Sequence, residues 1–115
     1  MNTLGKEGED FAVSFCKKKG YRVLEKNYKT VFGEIDIVAR DGDKIVFIEV
    51  KTRADDTFGY PFEAVNARKR EKIKKVALCF MKKFKQEVPA RFDVLSIIFE
   101  DGRKRVEHIM DAFEV

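Results

Sequence analysis

Two carboxylates, Asp36 and Glu49, and one lysine, Lys51, are placed close together by the most regular pattern in this chain. Two alternating apolar runs flank a Gly-Asp dipeptide, which predicts a β-hairpin over residues 32–51. With that dipeptide as the turn, Asp36 lies opposite Glu49 in the neighbouring strand. Because directly opposed side chains project from the same face of a sheet, the hairpin predicts an acidic pair with Lys51 beside it.

The same register assigns every hairpin side chain to a face. The predicted pairs are Asp41–Lys44, Arg40–Ile45, Val38–Phe47, Asp36–Glu49 and Glu34–Lys51. The face opposite the acids is predicted to carry Ile35, Ile37, Ala39, Val46, Ile48 and Val50. Val38 and Phe47 share the face of the acids, so this face is expected to be partly covered.

Two opposed carboxylates repel each other and destabilise the strand pair. A divalent cation between them would turn the repulsion into ligation, since hard ions such as Mg²⁺ bind carboxylate oxygens. Lys51 would then lie where a phosphate oxygen or an attacking water binds. The alternative is an ordinary exposed face with a Glu34–Lys51 salt bridge, which stabilises little.

The composition bounds the class of protein. With 44% apolar and 38% charged residues, the chain is expected to form one globular domain over residues 1–115. The two cysteines, Cys16 and Cys79, lie among apolar residues and predict buried free thiols in a reducing, cytoplasmic compartment. The sequence has no Cys/His cluster of the kind that binds zinc. Its single histidine, His108, excludes a mechanism that needs two histidines. No signal peptide or membrane-length apolar run is found, so no membrane partner is expected.

The rest of the chain supplies the elements that hold the hairpin. Periodicity predicts helices over residues 4–19 and 62–85 and strands over 21–29, 91–99 and 103–110. A loop of about ten residues connects Lys51 to the second helix, a length that is often functional. The order predicts an α/β fold with a mixed sheet flanked by helices, in which the crossover helix joins two parallel strands.

The second predicted helix is strongly basic. Residues 66–85 hold nine Lys or Arg and one acid, whereas the hairpin over 32–51 holds five acids and three bases. The net charge of +4 is mildly favourable for nucleic acid. A nuclease needs both elements. Its carboxylate cluster repels the nucleic-acid polyanion, and the surrounding lysines restore affinity for it through counterion release. A solvated helix face is the common alternative.

Smaller signals surround the hairpin. Lys29 could contact phosphate or be surface charge, and Arg53 could clamp a phosphate bidentately or be solvated. Phe58 and Tyr60 of the loop could stack on a base, although pinning the loop is the more common role.

Two acids outside the hairpin have structural explanations. Glu9 lies at the edge of the first helix's apolar stripe and is explained by a favourable charge near the helix N-terminus. Asp93 shares a strand face with Arg91, which favours a structural ion pair, and His108 is expected to be structural.

An ordered series of motifs runs through nearly the whole chain. It comprises Gly8-Glu9, Ala12, Gly20-Tyr21, Asn27, Gly33-Glu34-Ile35-Asp36, Phe47-Ile48-Glu49-Val50-Lys51, Phe58-Gly59, Lys69, Arg91-Phe92-Asp93-Val94 and Ala112-Phe113. This series resembles the YraN family of small bacterial predicted endonucleases. That family is grouped by resemblance with the PD-(D/E)XK restriction-endonuclease-like superfamily, near the archaeal Holliday-junction resolvases. Ile35 departs from the proline in the superfamily's name.

The resemblance implies a restriction-endonuclease-like α-β-β-β-α-β core with an extra C-terminal strand. It also implies a Mg²⁺ or Mn²⁺ site formed by Glu9, Asp36 and Glu49, with the Val50 carbonyl as a further ligand. Asp36, Glu49 and Lys51 would be the catalytic residues. The candidate contacts to nucleic acid are Arg53, Arg68, Lys69 and Lys29.

The expected function is metal-dependent hydrolysis of DNA phosphodiester bonds. By analogy with resolvases, the expected partners are branched or single-stranded DNA and a second copy of the chain in a homodimer. The alternative is a nucleic-acid-binding module of the same fold without significant nuclease turnover. A third hypothesis is a protein-binding module whose basic helix contacts an acidic surface.

Overall fold

A computed structural model of the protein describes residues 3–53 and 67–113. Its elements are α1 (Thr3–Lys18), β1 (Arg22–Thr30), β2 (Gly33–Asp41), β3 (Lys44–Arg53), α2 (Ala67–Met81), β4 (Ala90–Glu100) and β5 (Arg103–Phe113). The element order is therefore the predicted one. Most of the predicted loop, with Phe58 and Tyr60, and the predicted start of the second helix at residues 62–66 lie outside the described residues.

The five strands form one mixed sheet in the order β1-β2-β3-β4-β5. Neighbouring strands are antiparallel except β3 and β4, which run parallel from Ile45–Ala90 to Arg53–Ile98. Since α2 lies between these two strands in the chain, the predicted parallel crossover is confirmed. The α/β fold with helices against a mixed sheet is also confirmed.

Each face of the sheet packs against one helix. The α1 side buries Ala12, Cys16, Tyr21, Ile37, Ala39, Val46, Ile48, Leu95 and Ile97. The α2 side buries Ile35, Val38, Ile45, Phe47, Ile73, Val76, Ala77, Phe80, Phe92, Val94 and Phe113. Because both faces are covered, the central strands β3 and β4 are apolar almost throughout.

Both helices end for local reasons. α1 ends where Gly20 takes a φ of 86°, and the Tyr21 N–H donates to the Cys16 carbonyl at 2.9 Å. α2 ends at Met81 and not at the predicted residue 85. There the hydrogen bonds tighten, with the Phe84 N–H donating to the Met81 carbonyl at 3.1 Å, so the following lysines leave the helix.

Candidate functional site

β2 and β3 separate at the end of the sheet where the predicted acids lie. Their ladder pairs include the predicted Arg40–Ile45 and Val38–Phe47 and stop at Ile37–Ile48. We call the opening between residues 34–36 of β2 and 49–51 of β3 the fork. The predicted pairs Asp36–Glu49 and Glu34–Lys51 are therefore wrong, because the two strands no longer pair at these positions.

Asp36 fills the fork in place of a backbone partner. Its Oδ2 accepts a hydrogen bond from the Val50 N–H at 2.7 Å, which satisfies a donor that the separated strand would leave unpaired. On the other side, Asn27 of β1 has a φ of 51°, and the β1–β2 pairs skip from Tyr28–Ile35 to Lys26–Ile37.

The alternation of side chains between the two faces of the sheet is interrupted at Asp36. Ile35 packs in the α2-side core and Ile37 in the α1-side core, so the prediction that they share a face is wrong. Strand alternation fails here because Asp36 turns toward the fork to bond Val50. Asp36 and Glu49 are thus brought together where the β2–β3 pairing stops, and not as a regular cross-strand pair.

Glu49 approaches the fork from the α2 side. Its side chain is only 6% exposed, and Oε2 lies 3.2 Å from the Lys69 Nζ of α2. The second oxygen, Oε1, is buried and has no hydrogen-bond partner among the described residues. A buried carboxylate oxygen without a partner is costly, which marks Glu49 as a residue kept for something other than stability.

Two lysines face these acids. Lys51 is half-buried in β3, and Lys69 interacts with both Lys51 and Glu49. Burial and the neighbouring Lys69 lower the pKa of Lys51. Burial opposes the charge on Lys69 as well, but the contacts with Lys51 and Glu49 outweigh it and raise the pKa of Lys69. The pair is poised so that Lys51 is the lysine that gives up its proton more easily.

The two carboxylates hold protons more tightly than isolated acids. Burial and the charge of Asp36 raise the pKa of Glu49 to about 7, against the opposing effects of Lys69 and Lys51. Burial also raises the pKa of Asp36, although the bond from the Val50 N–H favours its charged form. The effect of Asp36 on the pKa of Glu49 indicates that the two carboxylates lie close together, and acids with perturbed pKa values cluster at functional sites.

Glu9 of α1 reaches the same region. Its charge raises the pKa of Asp36, and the two side chains line one cavity of about 210 Å³. The cavity is also lined by Lys6, Asp10, Val13, Lys26, Asn27 and Ile37. Sequence reasoning did not place Lys6 or Asp10 here, whereas Asn27 belongs to the motif series.

α1 approaches β3 closely at Gly8. A Cβ on Gly8 would collide with the Thr52 side chain of β3. Glycine thus allows the close contact that brings the following residue, Glu9, toward the fork.

The remaining predicted contacts lie around the fork. Lys29 is exposed on β1 and pairs in the ladder with Glu34, while Arg68 is exposed at the start of α2. Arg53 is half-buried at the end of β3. Lys69 bonds Glu49 within the site, and its predicted contact with phosphate stays a prediction. Val50 gives its N–H to Asp36, and the role of its carbonyl as a ligand stays a prediction.

The carboxylates of the fork supply some, but not all, of the ligands that a hard divalent cation needs. The donors are carboxylate oxygens, and the orphaned Glu49 Oε1 leaves an oxygen available for ligation. In residues 3–53 and 67–113, no three His, Cys, Asp or Glu side chains lie close enough to hold a metal together. Mg²⁺ is commonly bound by one or two carboxylates with waters and substrate phosphates, so Asp36 and Glu49 satisfy the protein's share.

A second acidic site is structural. Asp93 is fully buried and accepts hydrogen bonds from Arg91 at 3.0 Å, from the Asp111 N–H at 2.9 Å and from His108 at 2.7 Å. Burial opposes its charge, but these bonds outweigh it and lower the pKa of Asp93. The structural explanations predicted for Asp93 and His108 agree with this geometry.

The cysteines are free, as predicted. Cys16 is buried, and burial raises the pKa of its thiol to about 11, so it is unreactive. Cys79 is only half-buried on α2. Neither described helix is long and apolar enough to cross a membrane.

The fold and the fork define a small α/β protein in which a buried acid, a half-buried acid and two half-buried lysines meet between two separating strands. The chain belongs to the uncharacterised protein family UPF0102, whose model matches residues 8–97. The YraN-type family expected from the motifs is thus confirmed.

Relatives match along nearly their whole length. The chain is 52% identical over 110 residues to a UPF0102 protein of Thermodesulfovibrio yellowstonii, covering 96% of this chain and 95% of the relative. It is 50% identical over 116 residues to one of Dictyoglomus turgidum, and 46% identical over 111 residues to one of Syntrophomonas wolfei, with 96% of both chains covered each time. The names of these relatives state no activity.

Proposed function

We propose that this protein is a metal-dependent DNA endonuclease of the PD-(D/E)XK type, selective for DNA structure. The observation that carries the proposal is the fork. There the buried Glu49 and the half-buried Asp36 lie together, and the charge of Asp36 raises the pKa of Glu49, with Lys51 and Lys69 beside them. A site arranged for stability would not bury two like charges, whereas a site for a cation and a phosphate needs them.

Asp36 and Glu49 would hold Mg²⁺ or Mn²⁺, with the Val50 carbonyl and Glu9 as further direct or water-mediated ligands. The bound ion supplies a nucleophilic water at neutral pH and offsets charge on the phosphate. Lys51 would orient that water or stabilise the negative charge that develops on the phosphate. These assignments follow the resemblance and the donor chemistry of the fork.

The DNA would be held by basic groups around the fork. Arg68 is exposed on α2, Lys29 is exposed on β1, and Arg53 ends β3. Lys69 lies close enough to the carboxylates to contact the phosphate under attack. By analogy with resolvases, the substrate would be branched or single-stranded DNA and the enzyme a homodimer working in the cytoplasm.

A cleavage panel tests the proposal. Labelled duplex, flap, single-stranded and four-way substrates are incubated with Mg²⁺ or Mn²⁺ and the wild-type chain, Asp36→Ala or Asp43→Asn. Asp43 is an exposed acid in the β2–β3 turn, at the other end of the sheet, and serves as the matched control. We expect cutting of at least one substrate, loss of at least 100-fold in Asp36→Ala and no change in Asp43→Asn. No metal-dependent cutting of any substrate would contradict the proposal.

One observation favours the alternative, a nucleic-acid-binding module without turnover. Lys69 already neutralises Glu49 at 3.2 Å, as a metal would, and no three-ligand group exists among the described residues. Tight binding of branched or single-stranded DNA without cutting, unchanged in Asp36→Ala, would support this alternative. Absence of nucleic-acid binding at low salt would exclude both functions.

A further inference from the structure

The turn between β1 and β2 presents two apolar side chains to solvent. Val31 is 95% exposed and Phe32 is 45% exposed. We call these two residues the hairpin tip. The other two hairpin turns of the chain, Gly42-Asp43 and Asp101-Gly102, carry the polar and glycine residues usual for such turns. An aromatic and a β-branched residue at the tip thus have no explanation in turn chemistry.

The tip is held in place before anything binds to it. The Phe32 N–H donates to the Thr30 Oγ1 at 3.1 Å, which fixes the turn. The next residue, Gly33, lies against α2, where a Cβ would make ordinary van der Waals contact with the Val76 Cγ2 at 3.8 Å. An exposed ring on a fixed turn loses little entropy when it stacks on a ligand.

Positive charge surrounds the tip. The Lys75 Nζ lies 5.8 Å from the centroid of the Phe32 ring, and Lys72 is exposed one turn before it on α2. Lys29 is exposed on β1 two residues before the tip, and its ladder partner Glu34 is an exposed acid two residues after the tip. Apolar surface bordered by lysines is complementary to a nucleic acid, which offers base faces and phosphates together.

The hairpin tip also lies at the same end of β2 as the fork. Phe32 precedes Asp36 by four residues along the same chain, about 13 Å in an extended strand. A DNA segment at the fork would therefore extend to the tip.

We propose that the hairpin tip stacks on an unpaired base of the bound DNA, with the Phe32 ring against the base and Val31 beside it. This inference rests on the proposed action on DNA and names the feature of DNA structure that is recognised. An unpaired base is the favoured ligand, because a base already out of the helix costs least to unstack.

A binding experiment with 2-aminopurine, whose fluorescence rises on unstacking, tests the inference. The full-length chain is titrated without divalent metal into a labelled duplex that carries 2-aminopurine in a one-base bulge, and into the fully paired duplex. The variants are Phe32→Ser, Phe32→Tyr and, as matched control, Met110→Ser, which changes a 50% exposed apolar residue on β5. Circular dichroism confirms that each variant folds.

We expect the wild type to prefer the bulged duplex. Phe32→Ser should weaken binding to the bulge by on the order of tenfold and leave the paired duplex unaffected. Phe32→Tyr keeps the ring and should restore binding, and Met110→Ser should bind as the wild type does.

Equal binding of the bulge by Phe32→Ser and wild type would overturn the inference, as would equal losses on both duplexes. A Phe32→Ser chain that sediments as a smaller species than the wild type would assign the tip to a protein interface instead. If the wild type binds no DNA at low salt, the proposed function itself fails, so the two failures are distinct.

Discussion

The pKa values of two buried acids of the sheet, Asp93 and Glu49, are shifted in opposite directions. Asp93 accepts bonds from Arg91, His108 and a backbone N–H, and its pKa is lowered. Glu49 is almost as buried, but one of its oxygens has no partner within residues 3–53 and 67–113, and its pKa is raised. The first acid stabilises the fold, whereas the second destabilises it and is explained by the proposed function.

Removing the charge of Glu49 should therefore stabilise the protein. Between its ordinary pKa of 4.5 and about 7, the folded chain keeps a proton on Glu49 that the unfolded chain has lost. The free energy of unfolding thus falls as pH rises through this window, by roughly 3 kcal/mol at most. We expect Glu49→Gln to be more stable than the wild type at pH 8, and the difference to shrink toward pH 5, in urea unfolding without metal.

Asp43→Asn, which removes an exposed acid of the β2–β3 turn, is the control and should show no such pH-dependent gain. A Glu49→Gln chain that is less stable than the wild type at pH 8 would mean that the ion pair with Lys69 outweighs burial and repulsion.

Asp93→Ala should have the reverse effect. It leaves the buried Arg91 guanidinium and the Asp111 N–H without their partner, which should cost about 3–5 kcal/mol in the free energy of unfolding at pH 7. Because the pKa of Asp93 is lowered in the folded state, its contribution is present above its ordinary pKa and lost as pH falls through the lowered one. The gap to the wild type in urea unfolding should narrow in acid, while a constant gap would assign the loss to packing.

At the scale of elements, the sequence predicted regular pairing and missed its interruption. The Arg40–Ile45 and Val38–Phe47 pairs follow from the turn and the alternation of apolar residues, and both are present. The fork does not follow, because it depends on Asp36 bonding the Val50 N–H. The Lys69–Glu49 contact joins α2 to β3 across the connecting segment, and periodicity holds no information about such contacts.

The position of α1 depends on Gly8. A methyl group there would collide with Thr52, so Gly8→Ala should push α1 away from β3 and lower the free energy of unfolding by about 1–3 kcal/mol. In a Thr52→Ala background the loss should be smaller, since the colliding hydroxyl and methyl groups are gone. A double-mutant cycle measures this coupling, and purely additive effects would contradict the steric explanation.

At the scale of the whole molecule, the acids of the fork lie next to the bases of α2, so a negative region adjoins a positive one. The two regions could be predicted from composition, since residues 66–85 are basic and 32–51 acidic. Their contact could not, because the predicted crossover does not specify which residues of α2 pack against β2 and β3. The arrangement places a cation-binding centre within a surface that attracts phosphate.

A cation at the fork should stabilise the folded protein as a whole. Binding to the native state alone adds about 2.7 kcal/mol at a metal concentration 100 times the dissociation constant, which raises the melting temperature by several degrees. We expect Mg²⁺ or Mn²⁺ to produce this rise in the wild type at pH 8 and a smaller one at pH 6, because protons compete for Glu49, whose pKa is about 7. Asp36→Asn should abolish the rise and Asp43→Asn should preserve it, as measured by calorimetry. An equal rise in Asp36→Asn would place the bound metal elsewhere on the protein and remove the fork from the proposed mechanism.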